Sequence, residues 1–416
     1  MQQKIERLDL WIYYALCGLA LSLFSTVAGS SIFLGLAIAL FFVRAYFRRD
    51  DLLEPFRPYR RLVYAYGLFV LAMLVSALFS GDIRRGVGLV VSRQGYYVMP
   101  CVIIMAIIRD KDKLVMLAKL ALVSLIANNL CLLWKAWRFF GPETIRIDGL
   151  VGFLALAAVF SVAIPVLYLG TAYFQGKRRW ICFASGVSCI AANLFTGTRS
   201  GWLTSVAVLL VVAVLYMKSK MNLLIGFLAA SVCLGAVFAS SPQLAERLAS
   251  IGKPEKQISV TDRFSMWHSA VNIWKDYPVL GIGVGQYGKA YQTKYILPES
   301  DDYKSEPKNR HNHPHNNVLL ILSEAGVIGG TAFAAFLGLL LWFSIRGWRE
   351  TRDVLYLVLL SVLLGTQLQG VMDTNIKMTV VSKAYWFAIG VVLQMISVRG
   401  AKTLAAGTPV AHGKDE

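Results

Sequence analysis

A series of apolar runs constrains this chain more than any other feature of its sequence. Each run is roughly 18 to 25 residues long, which as an α-helix is enough to cross a hydrocarbon core of ~30 Å. The strands of a membrane barrel would instead give ~10-residue segments of alternating hydrophobicity, a pattern that this sequence lacks. The runs therefore predict an all-α integral membrane protein with about 12 transmembrane helices.

The composition agrees with lipid as the solvent. Only 16% of the residues are charged and 56% are hydrophobic, whereas a soluble domain has about 25% charged residues. The mean hydropathy is +0.57. We predict the membrane helices at 9–28, 30–47, 61–80, 94–109, 113–134, 149–174, 179–196, 201–217, 222–240, 316–345, 353–372 and 381–398.

Basic residues set the predicted orientation of these helices. The net charge is +18, and cytoplasmic segments of membrane proteins carry an excess of Lys and Arg. If the predicted helices alternate in direction, the main basic clusters fall on one side, namely Lys4 with Arg7, 44–61, 109–113, 177–179, 218–220, 346–352, and Arg399 with Lys402. We therefore expect both termini in the cytoplasm.

This orientation divides the chain into four parts. We expect residues 1–240 to hold helices one to nine, and 241–315 to form one large, partly helical loop on the side opposite the termini, where the candidate functional residues described below lie. Residues 316–402 hold helices ten to twelve, and 403–416 form a cytoplasmic tail. In the loop we predict a helix that starts after Thr261 or Asp262, followed by glycine turns at 281–285.

Three closely spaced histidines, His311, His313 and His315, end this loop. Spacing of two in an extended segment places them on one side, so a zinc site is one interpretation. A solvated polar segment without a role is another. The third is a proton acceptor, since histidine titrates near neutral pH. His315 is the best candidate because it directly precedes a helix, which gives it a rigid support.

Arginines on the same predicted face form a second candidate group. Arg199 lies in a very short hairpin and Arg263 in the loop helix. Two other outer connections hold basic residues, Arg84, Arg85 and Arg93 in one and Lys135, Arg138 and Arg146 in the other. Contact with membrane lipid headgroups is one explanation. However, these positions oppose the positive-inside bias, and the planar guanidinium suits phosphate. We therefore predict an anionic ligand. Asp373 is either a helix-end residue or a partner that orients a histidine or arginine.

The residues HPHNNVLLILSEAGVIGG place His315 and Asn316 nine residues before Gly326, with Gly329 three residues later. This H-N-x9-G-x-x-G pattern resembles that of the O-antigen ligase and O-antigen polymerase superfamily of membrane glycosyltransferases. TGTRSGWL, DRFSMWHSAVNIWKDYPVLGIGVGQY and Asp373 follow the family's order. The resemblance covers about 190–375, and the helical layout is most similar to that of an O-antigen ligase.

The resemblance implies a GT-C-like architecture in the bacterial inner membrane, with a periplasmic active site. It implies a donor glycan linked to undecaprenyl pyrophosphate, and no cofactor, metal or nucleic-acid partner. Arg199 and Arg263 would bind the pyrophosphate, His315 would take the proton of the acceptor hydroxyl, and Asp373 occupies a family acidic position. Possible supporting residues are His313, Asn316, Arg84 and Arg85.

The resulting prediction is an O-antigen ligase that transfers glycan, with inversion, to the lipid A–core of lipopolysaccharide. A polymerase that joins lipid-linked repeat units would use the same donor, and a protein O-oligosaccharyltransferase is disfavoured because no long extra periplasmic domain is present. A transporter would need polar groups or broken helices near the bilayer midplane. The sizeable polar candidates form no inverted repeat; they are Lys119, Asn128, Asn129, Gln367 and Gln369.

Overall fold

The computed structural model describes residues 2–47, 50–141, 146–217, 219, 221, 235, 241–252, 258–306 and 310–405. These residues form helices and connecting turns, without a β-strand among them. The main helices are α1 (Gln2–Ser22), α2 (Val27–Phe47), α3 (Arg60–Leu78), α4 (Ile83–Ile107), α5 (Lys111–Phe139), α6 (Phe153–Tyr173), α7 (Gly176–Phe195), α8 (Arg199–Tyr216), α9 (Pro242–Ala249), α10 (Ile258–Asp276), α11 (Asn317–Thr351), α12 (Val354–Met372) and α13 (Thr379–Ala405).

Short elements complete the described chain. A single turn, Asp50–Leu53, and a 3-10 helix, Glu54–Tyr59, lead into α3. Helix α4 contains a π-helical stretch, Val91–Tyr96. The remaining short elements are Ser250–Gly252, Tyr287–Ala290, Tyr291–Tyr295, Asp301–Lys304 and Asn375–Lys377.

The predicted fold class is confirmed: the chain is an all-α integral membrane protein. Among the described residues, nine helices are long and apolar enough to cross a membrane: α2, α3 with the 3-10 helix before it, α4, α5, α6, α8, α11, α12 and α13. Helices α1 and α7 are of similar length but carry charges near their N-terminal ends, and they pack on α2 and α6. The helix predicted at 222–240 and the tail beyond 405 lie outside the described residues, apart from Gly235.

One predicted helix start was wrong by eleven residues. Helix α4 begins at Ile83 rather than at 94, because Asp82 caps it by accepting a hydrogen bond from the Arg85 N–H at 3.0 Å. Its first turns bury Gly86 and Val90 while the two arginines stay exposed. Arg84 and Arg85 are therefore helical residues and not part of a loop.

Small residues let the membrane helices approach closely. A Cβ added at Gly365 of α12 would lie 2.6 Å from the Ser161 carbonyl oxygen of α6. One added at Gly390 of α13 would lie 2.6 Å from the Cα of Cys101 in α4. Both contacts are backbone contacts, so side chains could not move aside to make room.

Helices α9 and α10 and the turns after α10 pack on the end of the bundle where α8 and α11 begin, which we call the site end. Leu244 of α9 is buried with Leu194 and Trp202 at the α7–α8 hairpin. Helix α10 buries Met266, Ala270 and Ile273 with Tyr287, Tyr291 and Leu320. Helix α10 already includes Ile258, so the predicted start after Thr261 or Asp262 was too late.

A break in α11 holds the glycine turns in place. Gly326 adopts φ 61° and ψ −162° within the helix, a conformation open to glycine. The freed backbone groups pair with the preceding turns: Ile282 N–H donates to the Ser323 carbonyl at 3.0 Å, and Val327 N–H donates to the Pro278 carbonyl at 2.8 Å. A Cβ at Gly326 would lie 2.2 Å from the Val279 carbonyl oxygen. These contacts fix the direction of the first turns of α11, which follow His315.

Candidate active site

A cavity of about 460 Å³ lies at the site end, between the start of α8, α9, α10 and the histidine segment. It brings together three residues predicted from distant parts of the sequence: Arg199, Arg263 and His315. The other lining residues are Arg146, Leu154, Thr198, Ser200, Arg247, Asp262, Met266 and His311. Four arginines and one carboxylate therefore face the same space.

Arg199 is the first residue of α8. The chain turns sharply before it, with Gly197 at φ 60° and Thr198 at the N-cap position. The Arg199 guanidinium donates to the Ser250 hydroxyl at 2.9 Å. Ser250 in turn donates to the Arg247 carbonyl at 2.6 Å, which ties the end of α9 to the start of α8.

Two further arginines, Arg146 and Arg247, line the cavity. Arg247 donates from Nε to the Gly197 carbonyl at 3.0 Å, and the Arg146 guanidinium lies 5.3 Å from the Phe153 ring centre. Burial, together with the charges of Arg146 and Arg199, lowers the pKa of Arg247 to about 10. Nothing in the spacing of Arg247 distinguishes it from a solvated residue of a short amphipathic helix.

Arg263 projects from α10 and is half-buried. Burial lowers its pKa, and the charge of Arg146 acts in the same direction, while Asp373 opposes both. Among the described residues, Asp262 is the one carboxylate that lines the cavity, and burial together with the charge of Asp301 raises its pKa. The cavity is therefore strongly cationic, and an anion bound there would relieve the repulsion among its arginines.

His315 pairs with Asp373 at the edge of this cavity. The His315 Nδ1 lies 3.0 Å from Oδ1 of Asp373, whose side chain is 1% exposed. Burial would raise the pKa of Asp373, but the His315 hydrogen bond and charge, the charge of Arg263 and the Thr374 N–H together hold it below its usual value. An ionised carboxylate only accepts hydrogen bonds. His315 Nδ1 must therefore carry the hydrogen, which leaves Nε2 as the proton acceptor of the ring.

The backbone on both sides of this pair is firmly held. His315 itself has φ 51°, a strained value for a side-chain-bearing residue. Asn316 caps α11 by accepting the Leu319 N–H at 3.0 Å. Asn317 donates to the Asn375 side chain at 2.8 Å, which joins the start of α11 to the turn after Asp373. These contacts fix the position of the His315 imidazole relative to the Asp373 carboxylate.

The other two histidines of the segment have separate partners. The His313 ring centre lies 4.2 Å from that of His315. Burial, followed by the charges of His315 and Lys377, lowers the pKa of His313 to about 3, so it is neutral at neutral pH. His311 Nδ1 lies 3.0 Å from Asp302. Within the described part of the chain, no group of three or more His, Cys, Asp or Glu side chains is arranged to hold a metal ion.

The remaining predicted supporting residues lie elsewhere. His313, Asn316, Arg84 and Arg85 do not line the cavity. Asn316 is a helix cap, and Arg84 and Arg85 are exposed on α4. Of these four, His313 is the one in ring contact with His315.

Comparison with known proteins gives a family match over part of the chain. The family model described as O-antigen ligase matches residues 184–334, from α7 into the first half of α11. The match contains Arg199, Arg263, His315 and Gly326, while Asp373 lies beyond it. No curated protein shows significant similarity to the chain. The match over residues 184–334, in a chain whose apolar helices can cross a membrane, supports the O-antigen ligase superfamily, whose members are glycosyltransferase-like enzymes.

Proposed function

We propose that this protein is an O-antigen ligase, which transfers glycan from undecaprenyl pyrophosphate to the lipid A–core of lipopolysaccharide. One observation carries the proposal: the cavity that holds four arginines also holds a histidine paired with a buried aspartate. This combines a site for a polyanionic leaving group with a proton acceptor. The reaction takes place at the periplasmic face of the inner membrane, with both termini cytoplasmic, in agreement with the charge distribution of the sequence.

The arginines hold the pyrophosphate of the donor. Arg199 and Arg263 provide planar guanidinium groups, which can each donate two parallel hydrogen bonds to phosphate oxygens. The first N–H groups of α8, beside Thr198 and Ser200, have no acceptor within their own helix and add a favourable dipole. Charge neutralisation by these groups makes pyrophosphate a good leaving group, the task that a divalent cation performs in many other transferases.

His315 supplies the proton acceptor. Its Nε2 takes the proton of the acceptor hydroxyl while the hydroxyl oxygen forms a bond to the anomeric carbon of the donor sugar. The bond from that carbon to the pyrophosphate oxygen breaks, and its electron pair leaves with the phosphate. Asp373 stabilises the imidazolium that forms. A single direct displacement inverts the anomeric configuration.

The decisive experiment supplies purified protein in proteoliposomes with radiolabelled lipid-linked O-antigen and rough lipopolysaccharide. A ladder of products on lipid A–core is the expected result. Chain growth that stays on undecaprenyl pyrophosphate would refute the ligase and favour the polymerase. The same assay in EDTA tests independence from metal, and we expect the product ladder to be unchanged.

Variants test the site within the same assay. Arg199→Ala and His315→Ala should each reduce transfer strongly, since general-base help alone is typically worth about 10²–10⁴-fold. His268→Ala is a matched control, because His268 is an exposed histidine of α10 that lies outside the cavity. Full activity in both site variants would show that the site is wrongly assigned, even if the ligase activity itself is present.

A further inference from the structure

A second cavity, of about 350 Å³, lies at the end of the bundle opposite the site end. Helix α3 runs antiparallel to α11 beside it. The Phe69 ring of α3 lies 5.2 Å from the Phe333 ring of α11. The Tyr59 ring, just before α3, lies 5.6 Å from that of Phe343, which is further along α11. The first residues of α3 therefore meet the last turns of α11, and the cavity lies between them, far from His315.

The walls of this cavity are largely aromatic. Tyr59, Phe343 and Tyr356 line it, and the Phe343 ring lies 5.5 Å from that of Tyr356. The Tyr59 hydroxyl donates to the Leu393 carbonyl at 2.8 Å, so its polar atom is satisfied within the bundle. Gly347 of α11 approaches α12 so closely that a Cβ there would overlap the Tyr356 ring. The inner part of the cavity is therefore apolar and closed on the side of α12.

The rim of the cavity carries three arginines and one carboxylate. Arg60 and Arg61 begin α3 and are exposed, and Arg346 lies near the end of α11. Arg346 donates from Nε to Glu350 at 2.6 Å. Among the described residues, the side chains of Arg60 and Arg61 form no ion pair or hydrogen bond. Three positive charges and one negative charge give the rim a net charge of +2.

Trp342 indicates the depth of this rim in the membrane. Its side chain lines the cavity and is 44% exposed, and tryptophan is enriched at the boundary between hydrocarbon and water. The Arg346 guanidinium lies 5.0 Å from the centre of the Trp342 ring. The rim therefore lies at the level of the lipid headgroups, with the aromatic walls on its bundle side. In the proposed orientation this end faces the cytoplasm, where the leaflet surface is negatively charged.

We propose that this cavity binds the headgroup of an anionic phospholipid. Its phosphate would lie among Arg60, Arg61 and Arg346, whose guanidinium groups suit phosphate oxygens. The glycerol and the first part of the acyl chains would contact the aromatic walls. The volume of about 350 Å³ is within the range of ligand pockets, roughly 300–1,000 Å³, and suits a headgroup. A zwitterionic lipid would add a cation that the net positive rim repels. The site is independent of the transferase reaction.

Native mass spectrometry of the full-length protein in detergent tests the site. The protein is titrated with phosphatidylglycerol or with phosphatidylcholine of the same acyl chains, and the Kd of the first bound lipid is measured. We expect phosphatidylglycerol to bind at least about 10-fold more tightly. The double variant Arg60→Gln/Arg61→Gln should weaken its binding about 10- to 30-fold, since each basic residue near an anionic lipid contributes roughly fivefold. Binding of phosphatidylcholine should be unchanged.

A matched double variant separates the cavity from the general positive charge of this surface. Arg57→Gln/Arg349→Gln also removes two exposed arginines at the same end, and both lie outside the cavity. It should leave both Kd values unchanged, and Arg60→Lys/Arg61→Lys should keep the preference for phosphatidylglycerol. If the two glutamine variants weaken phosphatidylglycerol binding equally, or if the wild type binds the two lipids equally, the proposal is refuted.

Thermal unfolding separates a lipid site from a site for a soluble phosphate compound. A ligand that binds the native state raises the Tm. Phosphatidylglycerol should raise the Tm of the wild type and of Arg57→Gln/Arg349→Gln more than that of Arg60→Gln/Arg61→Gln, with equal Tm values when no lipid is added. Glycerol 3-phosphate carries the phosphate without acyl chains and should have no effect. An equal rise with glycerol 3-phosphate would overturn the lipid site. Both measurements omit the transfer substrates, so failure of the proposed ligase function would leave their outcome unaffected.

Discussion

Replacement of Asp373 by asparagine separates the charge of this residue from its geometry. Oδ1 of Asp373 accepts from His315 Nδ1 at 3.0 Å and from the Thr374 N–H at 2.8 Å. Oδ2 is buried without a hydrogen-bond partner among the described residues. An asparagine whose amide oxygen takes the Oδ1 position keeps both hydrogen bonds. The opposite amide orientation is disfavoured, because it would place the NH2 group against two hydrogen-bond donors. The His315 ring and its tautomer are therefore expected to stay as they are.

The expected loss comes from the missing negative charge. During transfer His315 becomes an imidazolium, and a unit charge about 4 Å away stabilises it by roughly 4 kcal/mol at an effective dielectric constant of about 20. Each ~1.4 kcal/mol is a factor of ten in rate. Asp373→Asn should therefore lower kcat by up to about 10³-fold. The donor KM should not rise, because the loss of a carboxylate makes the arginine cavity more cationic.

The assay is the proteoliposome transfer reaction, with kcat and both KM values measured for Asp373→Asn, His315→Ala and the double variant. Since the two residues act as a unit, the double variant should be no slower than His315→Ala alone. Asp276→Asn, an exposed carboxylate of α10, serves as the control. A kcat for Asp373→Asn within threefold of the wild type, or additive effects in the double variant, would refute the pairing as the source of catalysis.

Two other variants test the donor site and the break in α11. Arg247→Gln should raise the donor KM about 10- to 100-fold by removing one charge-assisted contact, with the acceptor KM unchanged in the same assay. Gly326→Ala must place a Cβ 2.2 Å from the Val279 carbonyl oxygen, in a backbone conformation with φ 61°. Thermal unfolding should therefore show that the free energy of unfolding falls by about 1–3 kcal/mol. Gly338→Ala is the control, because a Cβ there meets open space and should change the free energy of unfolding very little.

The length of the apolar runs was enough to predict the all-α membrane fold from the sequence, but not the residue at which α4 begins. Arg84, Arg85 and Arg93 interrupt the apolar pattern there and indicated a loop. In the structure Asp82 caps the helix, and Gly86 packs on Ala77 of α3. The amphipathic stretch at this helix end is too short to show a helical periodicity of apolar residues. The position of the helix start therefore depends on its cap and on its packing against α3, which the local sequence does not reveal.

The predicted site residues differ in how well the sequence could locate them. Arg199, Arg263 and His315 each lie in a motif that the family resemblance identifies, and they line one cavity. For Asp373 two roles were open, and the structure places it against His315, in agreement with the orienting role. Arg247 lies outside the predicted groups because its place depends on how α9 docks on the α7–α8 hairpin. That contact joins residues 50 positions apart and leaves no local pattern.

The neighbour of the reacting histidine is itself a histidine, and its charge state matters. The His313 ring centre lies 4.2 Å from that of His315. Burial, together with the charges of His315 and Lys377, lowers the pKa of His313 to about 3, so His313 is uncharged at neutral pH. A cation at this distance would oppose the proton transfer that turns His315 into an imidazolium. A neutral His313 adds no such charge.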